Sequence, residues 1–509
     1  MKADRIRKIA IIGGGTAGWM SAAVLSKLLG PGFAEIELVE SEEIGTVGVG
    51  EATIPHIATF NRLLGIDEDD FIRHTRGSFK LGIEFVDWSR KGARYFHPFG
   101  PFGIDMRGVS FHAFWQKLQT LGMSDSVADY NLQAVAAREN RFMRPIKKEG
   151  SPAAGIAYAY HFDAGLYARY LRTFSEKLGV RRTEGKIVAV NQRPENGFIR
   201  SVTLADGREV EAEFFLDCSG LRGLLIEQTL KAGFVDWSHW LPCDRAWAVP
   251  CANAGAPTPY TRATAREAGW QWRIPLQHRA GNGYVFSSRF ISEDAARDTL
   301  MNNLDGEVLA EPRLIRFQTG RRKIFWVKNV VAIGLSSGFI EPLESTSIHF
   351  IQAGLAKLLN MFPDRGFEQA DIDRYNFATG REYDHVKDFI TLHYKATTRD
   401  DTPFWNYVRT MDIPDSLAEK IRIFESRGRI FRDAEELFND TSWFAVMTGQ
   451  ELKSRSYDPV ADAMSDQEVI DRLHDIKTVI RQTADLMPSH AAFIAQHCAS
   501  DLDAVAATA

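Results

Sequence analysis

The stretch KIAIIGGGTAGWM, residues 8–20, decides the fold of this chain. Four apolar residues lead into a glycine turn, and the apolar pattern continues after it, so the stretch predicts a buried strand, a tight turn and a helix from about residue 16 to 29. Residues 35–40, EIELVE, predict the next strand. This order of strand, helix and strand is typical of a parallel sheet that binds a dinucleotide at its first turn.

The glycines of the turn have the spacing of a phosphate-binding fingerprint, because Gly13, Gly15 and Gly18 form GxGxxG. The first permits a tight turn, the second lets the backbone approach a pyrophosphate, and the third permits close packing of helix on strand. Glu40 ends the next strand, where a carboxylate can accept hydrogen bonds from a ribose. The alternative is a glycine turn without a ligand, and the motif alone does not distinguish FAD from NAD.

The rest of the chain predicts an interleaved α/β protein. Asn196-Gly197 and Asp206-Gly207 are hairpin signals, and they predict an antiparallel β-meander inserted into a Rossmann-like parallel sheet, which favours FAD. Residues 329–333 predict a late strand of that sheet, and residues 270–277 and 284–290 predict a hairpin that turns at 281–283. We expect a discontinuous FAD-binding scaffold over 1–350, with substrate-side inserts at about 80–160 and 230–320, and a mostly helical region over 351–509 that completes the substrate pocket.

Composition excludes several classes of protein. The 509 residues carry a net charge of -5, which provides no electrostatic reason to expect nucleic acid or an anionic membrane as partner. The four cysteines form neither a CxxC pair nor a zinc-ligand pattern, so we expect buried reduced thiols. No apolar run approaches 18 residues, and no signal-peptide core is present, so a cytoplasmic location is the expectation.

Five stretches share one family pattern: GGGTAGWM (13–20), GVGEATIP (48–55), SFKLGIEFVDW (78–88), WQWRIP (270–275) and GFIEPLESTSI (338–348). In them the sequence resembles the flavin-dependent halogenases of the tryptophan halogenase type. WQWRIP fits the family signature WxWxIP, which ordinary flavin monooxygenases lack. The resemblance implies FAD, used as FADH2, together with oxygen and a chloride or bromide ion, which yield hypohalous acid.

The same resemblance implies how the acid is used and which partners are needed. Hypohalous acid travels to a separate pocket, where Lys80 directs it to an electron-rich aromatic carbon and Glu344 assists. We expect indole or an indole derivative as the substrate. The resemblance also implies a separate NAD(P)H-dependent flavin reductase and no bound metal, and we expect a homodimer.

Lys80 lies in an alternating stretch, in which Phe79, Leu81 and Ile83 share one face and Lys80 and Gly82 share the other. We therefore expect Lys80 to leave the core side and point into a cavity, with room left by the glycine. A lysine there can donate a hydrogen bond to hypohalous acid or, when deprotonated, form a haloamine. The alternative is a solvated strand lysine.

Glu344 is expected just outside the N-terminus of a helix that begins near residue 348. Thr346 and Ser347 would present free backbone N–H groups there, which suit a halide ion. The alternatives are a carboxylate placed favourably against the helix dipole and plain N-capping by Thr or Ser. The family most often has Gly at position 347, so Ser347 leaves the halide preference open.

The remaining candidates come from the resemblance, and some of them have a purely structural alternative. Trp270, Trp272, Ile274 and Pro275 are family markers beside the tunnel, although alternating tryptophans are also common in hairpin cores. His97 and Phe99 are expected to stack on the substrate ring, and the alternative is a packed loop. Trp443 and Phe444 replace the adjacent tyrosines with which tryptophan halogenases hold the amino acid. The further cofactor candidates are Thr16, Ala17, Gly50, Ala52, Val188, Asp217, Gly334 and Gly338.

Two other functions share this scaffold. A flavin-dependent aromatic monooxygenase would hydroxylate its substrate directly and would need no halide. A non-catalytic flavin-binding protein, such as a redox sensor, would need neither Lys80 nor Glu344. The presence of WxWxIP, Lys80 and Glu344 favours the halogenase over both.

Overall fold

The computed structural model describes residues 4–43, 50–123 and 125–500. Its strands are β1 (Lys8–Ile12), β2 (Glu35–Glu40), β3 (Gly50–Ala52), β4 (Ser78–Lys80), β5 (Gly82–Val86), β6 (Arg94–Pro98), β7 (Ala159–Asp163), β8 (Arg181–Glu184), β9 (Ile187–Gln192), β10 (Ile199–Leu204), β11 (Glu209–Glu211), β12 (Phe214–Asp217), β13 (Phe234–Asp236), β14 (Arg245–Cys251), β15 (Thr261–Arg266), β16 (Gly269–Pro275), β17 (Ala280–Phe286), β18 (Arg313–Arg316), β19 (Gly320–Arg322), β20 (Trp326–Val327), β21 (Val330–Ala332) and β22 (Gly338–Phe339). Its helices are α1 (Thr16–Leu29), α2 (His56–Leu64), α3 (Glu68–His74), α4 (Phe111–Thr120), α5 (Leu132–Arg138), α6 (Ala164–Lys177), α7 (Glu293–Met301), α8 (Ser347–Asn360), α9 (Gln369–Lys395), α10 (Pro403–Thr410), α11 (Asp415–Arg427), α12 (Asp440–Gly449), α13 (Asp466–Asp485) and α14 (His490–His497).

The predicted parallel sheet is confirmed. Six strands lie in the order β20-β21-β12-β1-β2-β8, and every neighbouring pair except β20 with β21 is parallel. The strand β1 lies between β12 and β2, where its apolar residues are buried on both sides. The sheet therefore brings the turn after β1 next to the ends of β2 and β12, which is the usual dinucleotide position in such folds.

The predicted β-meander is confirmed as a three-stranded antiparallel sheet, β11-β10-β9. Its two turns contain Gly197 and Gly207, whose positive φ angles of 69° and 87° favour glycine. Asn196 and Asp206 accept hydrogen bonds from the backbone N–H two residues further on, as such turns require. The apolar side chains of Ile199 and Val202 pack with those of the parallel sheet in one core cluster.

The predicted hairpin of β16 and β17 forms, but its turn is not at Gly281–Gly283. The turn lies at residues 276–279, where the Leu276 N–H donates to the Arg279 carbonyl, and the glycines lie inside β17. A Cβ on Gly283 would lie 2.1 Å from ring carbons of Trp272. The glycine therefore makes space for a tryptophan ring on the neighbouring strand, which a short-range turn signal does not reveal.

The alternating stretch 78–88 is not one strand. Ser78–Lys80 pairs with Ala159–His161, whereas Gly82–Val86 belongs to a seven-stranded sheet in the order β18-β14-β17-β16-β15-β5-β6. Leu81 is the single residue between the two strands. Lys80 thus ends one strand immediately before the chain enters another sheet.

The chain forms two compact units, each made of three stretches. The first comprises the described parts of Met1–Gly77, Phe162–His239 and Phe317–Tyr383, and the second comprises those of Ser78–His161, Trp240–Arg316 and Asp384–Ala509. The first contains the parallel sheet and the meander, and the second contains the seven-stranded sheet and most of the C-terminal helices. Residues 351–383, which we expected in the C-terminal region, lie in the first unit.

Two simpler expectations concern cysteines and membrane segments. Cys218, Cys243, Cys251 and Cys498 are buried and unbridged, as expected for reduced thiols. Within the described ranges, every helix is too short or too polar to cross a lipid bilayer.

Candidate active site

The glycine turn has the geometry that a dinucleotide needs. Gly13 has a φ of 112°, and a Cβ there would lie 2.3 Å from the carbonyl oxygen of Cys218. A Cβ on Gly18 would lie 1.8 Å from the Gly13 carbonyl oxygen, so α1 packs closely against the turn. Gly15 occupies the N-cap position of α1, and no side-chain cap is present within the described ranges, so the first N–H groups of the helix are available for a phosphate. The turn fits the pyrophosphate of a dinucleotide.

Glu40 lies against this turn, as predicted. Its carboxylate occupies the space beside Gly14, where a Cβ would lie 1.5 Å from Oε2. The Nε of Arg182 donates a hydrogen bond to the same carboxylate, and Arg172 lies 3.8 Å away. Both guanidinium groups hold the Glu40 carboxylate in place, which suits an acceptor for ribose hydroxyl groups.

Gly334 and Asp217, two of the cofactor candidates, have different structural roles. A Cβ on Gly334 would lie 2.7 Å from the Ala17 side chain, so the glycine brings this loop against the start of α1. Asp217 is fully buried, and its carboxylate accepts hydrogen bonds from Ser219 and from the N–H groups of Leu225 and Ile226. The carboxylate thus holds its own strand-end turn, and direct contact with the cofactor stays a prediction.

The other cofactor candidates lie in separate places. Gly338 approaches β19, where a Cβ would lie 2.8 Å from the Arg321 Cα. Val188 is on β9 of the meander and is 61% exposed. Gly50 and Ala52 are on β3, whereas the first two residues of GVGEATIP are outside the described ranges.

Sequence reasoning missed Glu51, which lies between two of these candidates on β3. Burial raises the pKa of its carboxyl group to about 7. A carboxyl group that titrates near neutrality can accept or release a proton at working pH, so Glu51 joins the functional candidates of the first unit. Its position inside the family motif GVGEATIP was the available signal.

Lys80 is buried, with no exposed surface, so the alternative of a solvated strand lysine is wrong. Its ammonium nitrogen lies 5.2 Å from the centre of the Phe99 ring, which joins two predicted site residues. The expectation that Gly82 leaves empty room is wrong, because a Cβ there would lie 2.3 Å from the His97 carbonyl oxygen and 2.6 Å from the Phe96 ring. Gly82 instead lets β6 approach, and that approach brings the loop of Phe99 to Lys80.

His97 and Trp443 belong to one aromatic cluster. The His97 ring is 5.7 Å from Phe389, and Phe389 is 4.9 Å from Trp443, between ring centres. Phe438 stacks on Phe389 at 3.8 Å. Sequence reasoning missed these two phenylalanines, which lie in helical or loop segments without a motif.

The adjacent residues Trp443 and Phe444 do not act as a pair. Phe444 contacts Phe102, His112 and Trp115 instead, and the Trp443 Nε1 donates to Glu436. Both side chains are 1% exposed. The two residues that we expected to replace the tyrosine pair thus face different clusters, because neighbours on a helix point in different directions.

Glu344 ends a short helical turn, Pro342–Glu344, just before α8, as predicted, and it is buried. Ser345 follows with a φ of 60°, which costs a non-glycine residue energy and is common at functional sites. Thr346 occupies the N-cap position, but its hydroxyl caps nothing and has no hydrogen-bond partner among the described residues. Plain capping by Thr346 is therefore wrong, and α8 begins at Ser347 with an open N-terminus.

Trp270 and Trp272 lie on one face of β16, with their ring centres 6.2 Å apart, and both are buried. Ile274 is also buried on that strand, which ends at Pro275. The Trp270 indole N–H has no hydrogen-bond partner within the described ranges. Hairpin core accounts for the packing of the rings, but buried indole N–H groups usually have a partner.

Comparison with known proteins places the chain in one family. The tryptophan halogenase family model matches residues 8–466. Tryptophan 7-halogenase RebH of Lentzea aerocolonigenes is 36% identical, over 97% of this chain and 99% of its own length.

Solved structures agree with this assignment. Xcc4156, a flavin-dependent halogenase from Xanthomonas campestris, is 48% identical with a TM-score of 0.94, over 98% of this chain and 99% of that one. BrvH, a flavin-dependent halogenase from Brevundimonas sp. BAL3, is 46% identical with a TM-score of 0.94, over 97% and 99%. The resemblance seen in the sequence motifs is confirmed, and the chain belongs to the tryptophan halogenase family of flavin-dependent halogenases.

Proposed function

We propose that this halogenase transfers an electrophilic halogen to an electron-rich aromatic ring held near Lys80. The observation that carries the proposal is the fully buried ammonium group of Lys80, 5.2 Å from the ring of Phe99. A lysine kept in this position, beside an aromatic ring, suits a group that activates a reagent at an aromatic substrate.

Lys80 has two ways to act, and both remain open. As an ammonium it donates a hydrogen bond to the oxygen of hypohalous acid, which makes the halogen more electrophilic. As a neutral amine it accepts the halogen and passes it to the ring. In either case its placement fixes where the halogen is delivered, which determines the ring carbon that reacts.

The halide ion is proposed to bind at the N-terminus of α8. The open helix N-terminus at Thr346 and Ser347 supplies N–H groups and positive potential. The unpartnered Thr346 hydroxyl adds a donor that a chloride or bromide ion would satisfy. Glu344, buried immediately before this site, is proposed to help position hypohalous acid or take up the proton that the ring loses.

FAD is proposed to bind along the turn of Gly13, Gly15 and Gly18, with Glu40 on its ribose. When bound in reduced form, FAD supplies with oxygen the oxidising equivalent that the halide needs. A separate NAD(P)H-dependent reductase is proposed to deliver it, since the sequence contains a single GxGxxG fingerprint. A homodimer and a cytoplasmic location complete the proposal, and the four buried cysteines, which form no disulfide, support a reducing location.

The substrate is proposed to be indole or a simple indole derivative, used better than tryptophan. The curated relative is a tryptophan halogenase, so an indole ring is the natural class. However, Trp443 and Phe444 face separate clusters and supply no clamp for an amino acid. In a competition assay with equal concentrations, we expect more halogenated indole than halogenated tryptophan. Preferential halogenation of tryptophan would contradict this substrate choice.

The test of the proposal is Lys80→Met, which removes the ammonium group and keeps most of the side-chain volume. We expect FAD binding and reoxidation of reduced flavin to continue, because these depend on the glycine turn, while halogenated product falls at least about 100-fold. Glu344→Gln should keep partial activity. Flavin reoxidation and product are measured separately in each variant.

Lys387→Met is the matched control, because Lys387 is also a buried lysine over an aromatic ring, 4.7 Å from Trp240. We expect it to retain product formation once folded. If Lys80→Met forms product at the rate of the unmodified protein, Lys80 has no catalytic part and the proposal is wrong.

A further inference from the structure

The position of Lys80 depends on the contacts at the junction of β4 and β5. Lys80 ends β4, and β5 begins after Leu81 alone. The Leu81 N–H donates to the Pro259 carbonyl at 2.8 Å, which fixes the backbone at the junction. On the other side of β4, Ser78 lies opposite His161 and Lys80 opposite Ala159 in the antiparallel pair with β7. His161 and Lys80 therefore project from the same face of this pair.

His161 links both sides of that junction through its two ring nitrogens. Its Nδ1 is 3.1 Å from the Ser78 hydroxyl, two residues before Lys80. Its Nε2 is 2.9 Å from the Thr261 hydroxyl, at the start of β15, where Thr261 pairs with Ile83 of β5. The imidazole thus bridges β4, which ends at Lys80, and β15, which pairs with β5.

The hydrogen-bond pattern assigns a direction to this bridge. The Ser78 hydroxyl donates to the Pro275 carbonyl at 2.6 Å, so its oxygen accepts from the His161 Nδ1–H. In the neutral ring Nε2 has no proton and accepts from the Thr261 hydroxyl. The chain of bonds ends on Pro275, the last residue of the WQWRIP strand.

The surroundings of His161 favour this neutral form. The ring is fully buried, and burial, together with the positive charges of Lys80 and Arg273, lowers its pKa well below the usual value. A neutral imidazole places no second positive charge beside the ammonium group of Lys80, so the two side chains can be close neighbours in the core.

We propose that His161 is a positioning residue for Lys80, which it holds in place through Ser78 and Thr261 without adding charge. This inference rests on the proposed catalytic part of Lys80. In this role His161 determines how accurately the halogen is delivered to the substrate ring, and it does not itself contact the substrate. A displacement of about 1 Å in a reacting group is enough to lower a rate strongly.

The sharpest test changes Thr261 rather than His161, because Thr261→Val removes the donor to Nε2 with little change in shape. Thr264→Val is the matched control, since Thr264 is on the same strand and pairs with Gln271 and Val86 instead. We expect Thr261→Val to lower kcat for halogenation about tenfold, with KM for the aromatic substrate and the rate of flavin reoxidation unchanged. Thr264→Val should stay within about twofold of the unmodified protein.

Substitution of His161 itself adds a rescue experiment. His161→Leu removes both links, whereas the side-chain amide of His161→Asn can still donate to the Ser78 hydroxyl. We expect Leu to lose about 100-fold in product per flavin oxidised, and Asn to recover part of that loss. A purely structural part would lower FAD occupancy and thermal stability in proportion to activity, so both are measured.

The outcomes separate this inference from the proposed function. If Lys80→Met abolishes product but Thr261→Val and both His161 variants retain the kcat of the unmodified protein, the positioning inference is overturned and the halogenase mechanism stands. If Lys80→Met itself retains product, the proposed function has failed first. If His161→Leu does not fold, the comparison of Thr261→Val with Thr264→Val still tests the positioning inference.

Discussion

Two charged side chains, Asp217 and Lys80, are each fully buried, but their surroundings give them different tasks. Asp217 accepts hydrogen bonds from Ser219, Leu225 and Ile226, so its carboxylate has a structural task. Lys80 lies over the ring of Phe99, on the same face as His161, whose pKa is lowered by burial. The first charge organises a turn of the flavin scaffold, and the second is suited to chemistry on an aromatic substrate.

At the same scale, Gly18→Ala tests the cofactor turn. The new Cβ would lie 1.8 Å from the Gly13 carbonyl oxygen, so helix and turn must separate. We expect the affinity for FAD to fall about tenfold, because overpacking of this kind costs about 1–3 kcal/mol. Titration of the protein with FAD, followed by flavin fluorescence, measures the effect. Gly255→Ala is the control, since a Cβ there meets open space; equal FAD affinity in both variants would refute the assignment of the turn.

Among the elements, α8 and α9 are joined by a buried ion cluster. The Glu382 carboxylate of α9 accepts hydrogen bonds from His349, at 2.7 Å, and from the ammonium group of Lys357, both on α8. Burial by itself raises the pKa of Glu382, but His349 and Lys357 outweigh burial and lower it to about 2. Because α8 also begins at the proposed halide site, this cluster stabilises the helix on which that site depends.

The cluster predicts an acid-dependent loss of stability. A carboxyl group with a depressed pKa in the folded state contributes stability that is present above about pH 4.5 and is lost as the pH falls towards 2. The contribution is on the order of 3 kcal/mol, from the linkage between pKa and unfolding. Glu382→Gln should be less stable at pH 6 and should lose less stability between pH 4.5 and 3. Urea unfolding at several pH values measures this, and parallel pH curves for both proteins would count against it.

The elements also show what could be predicted from the sequence. The bounds of β1, α1 and β2 follow from local signals alone, since glycine spacing and apolar runs determine them. The turn predicted at Gly281–Gly283 is wrong, because the glycine at 283 does not signal a turn but makes room for Trp272 of the neighbouring strand. The split at Leu81 was also missed, since both halves of the stretch alternate equally well and only their partner strands differ.

For the whole molecule, the site residues divide between the two units. The first unit contains the glycine turn, Glu40 and Glu344, and the second contains Lys80, the WQWRIP strand and the aromatic cluster of His97. Most of these residues could be identified from the sequence because each lies in a motif of a few neighbouring residues. The neighbours that give Lys80 its setting, His161 and Thr261, are 81 and 181 positions away in the chain, so no motif connects them to it. Only the fold brings them together.

The most direct test of the central claim is whether product formation requires halide. The protein is incubated with indole, FAD, NADH, a flavin reductase and oxygen, with and without bromide, and the products are identified by mass spectrometry. We expect brominated indole with bromide and no indole product without it. Hydroxylated indole in the absence of halide would identify a monooxygenase, and reoxidation of flavin without any indole product under both conditions would identify a non-catalytic flavin-binding protein; either result would contradict the account.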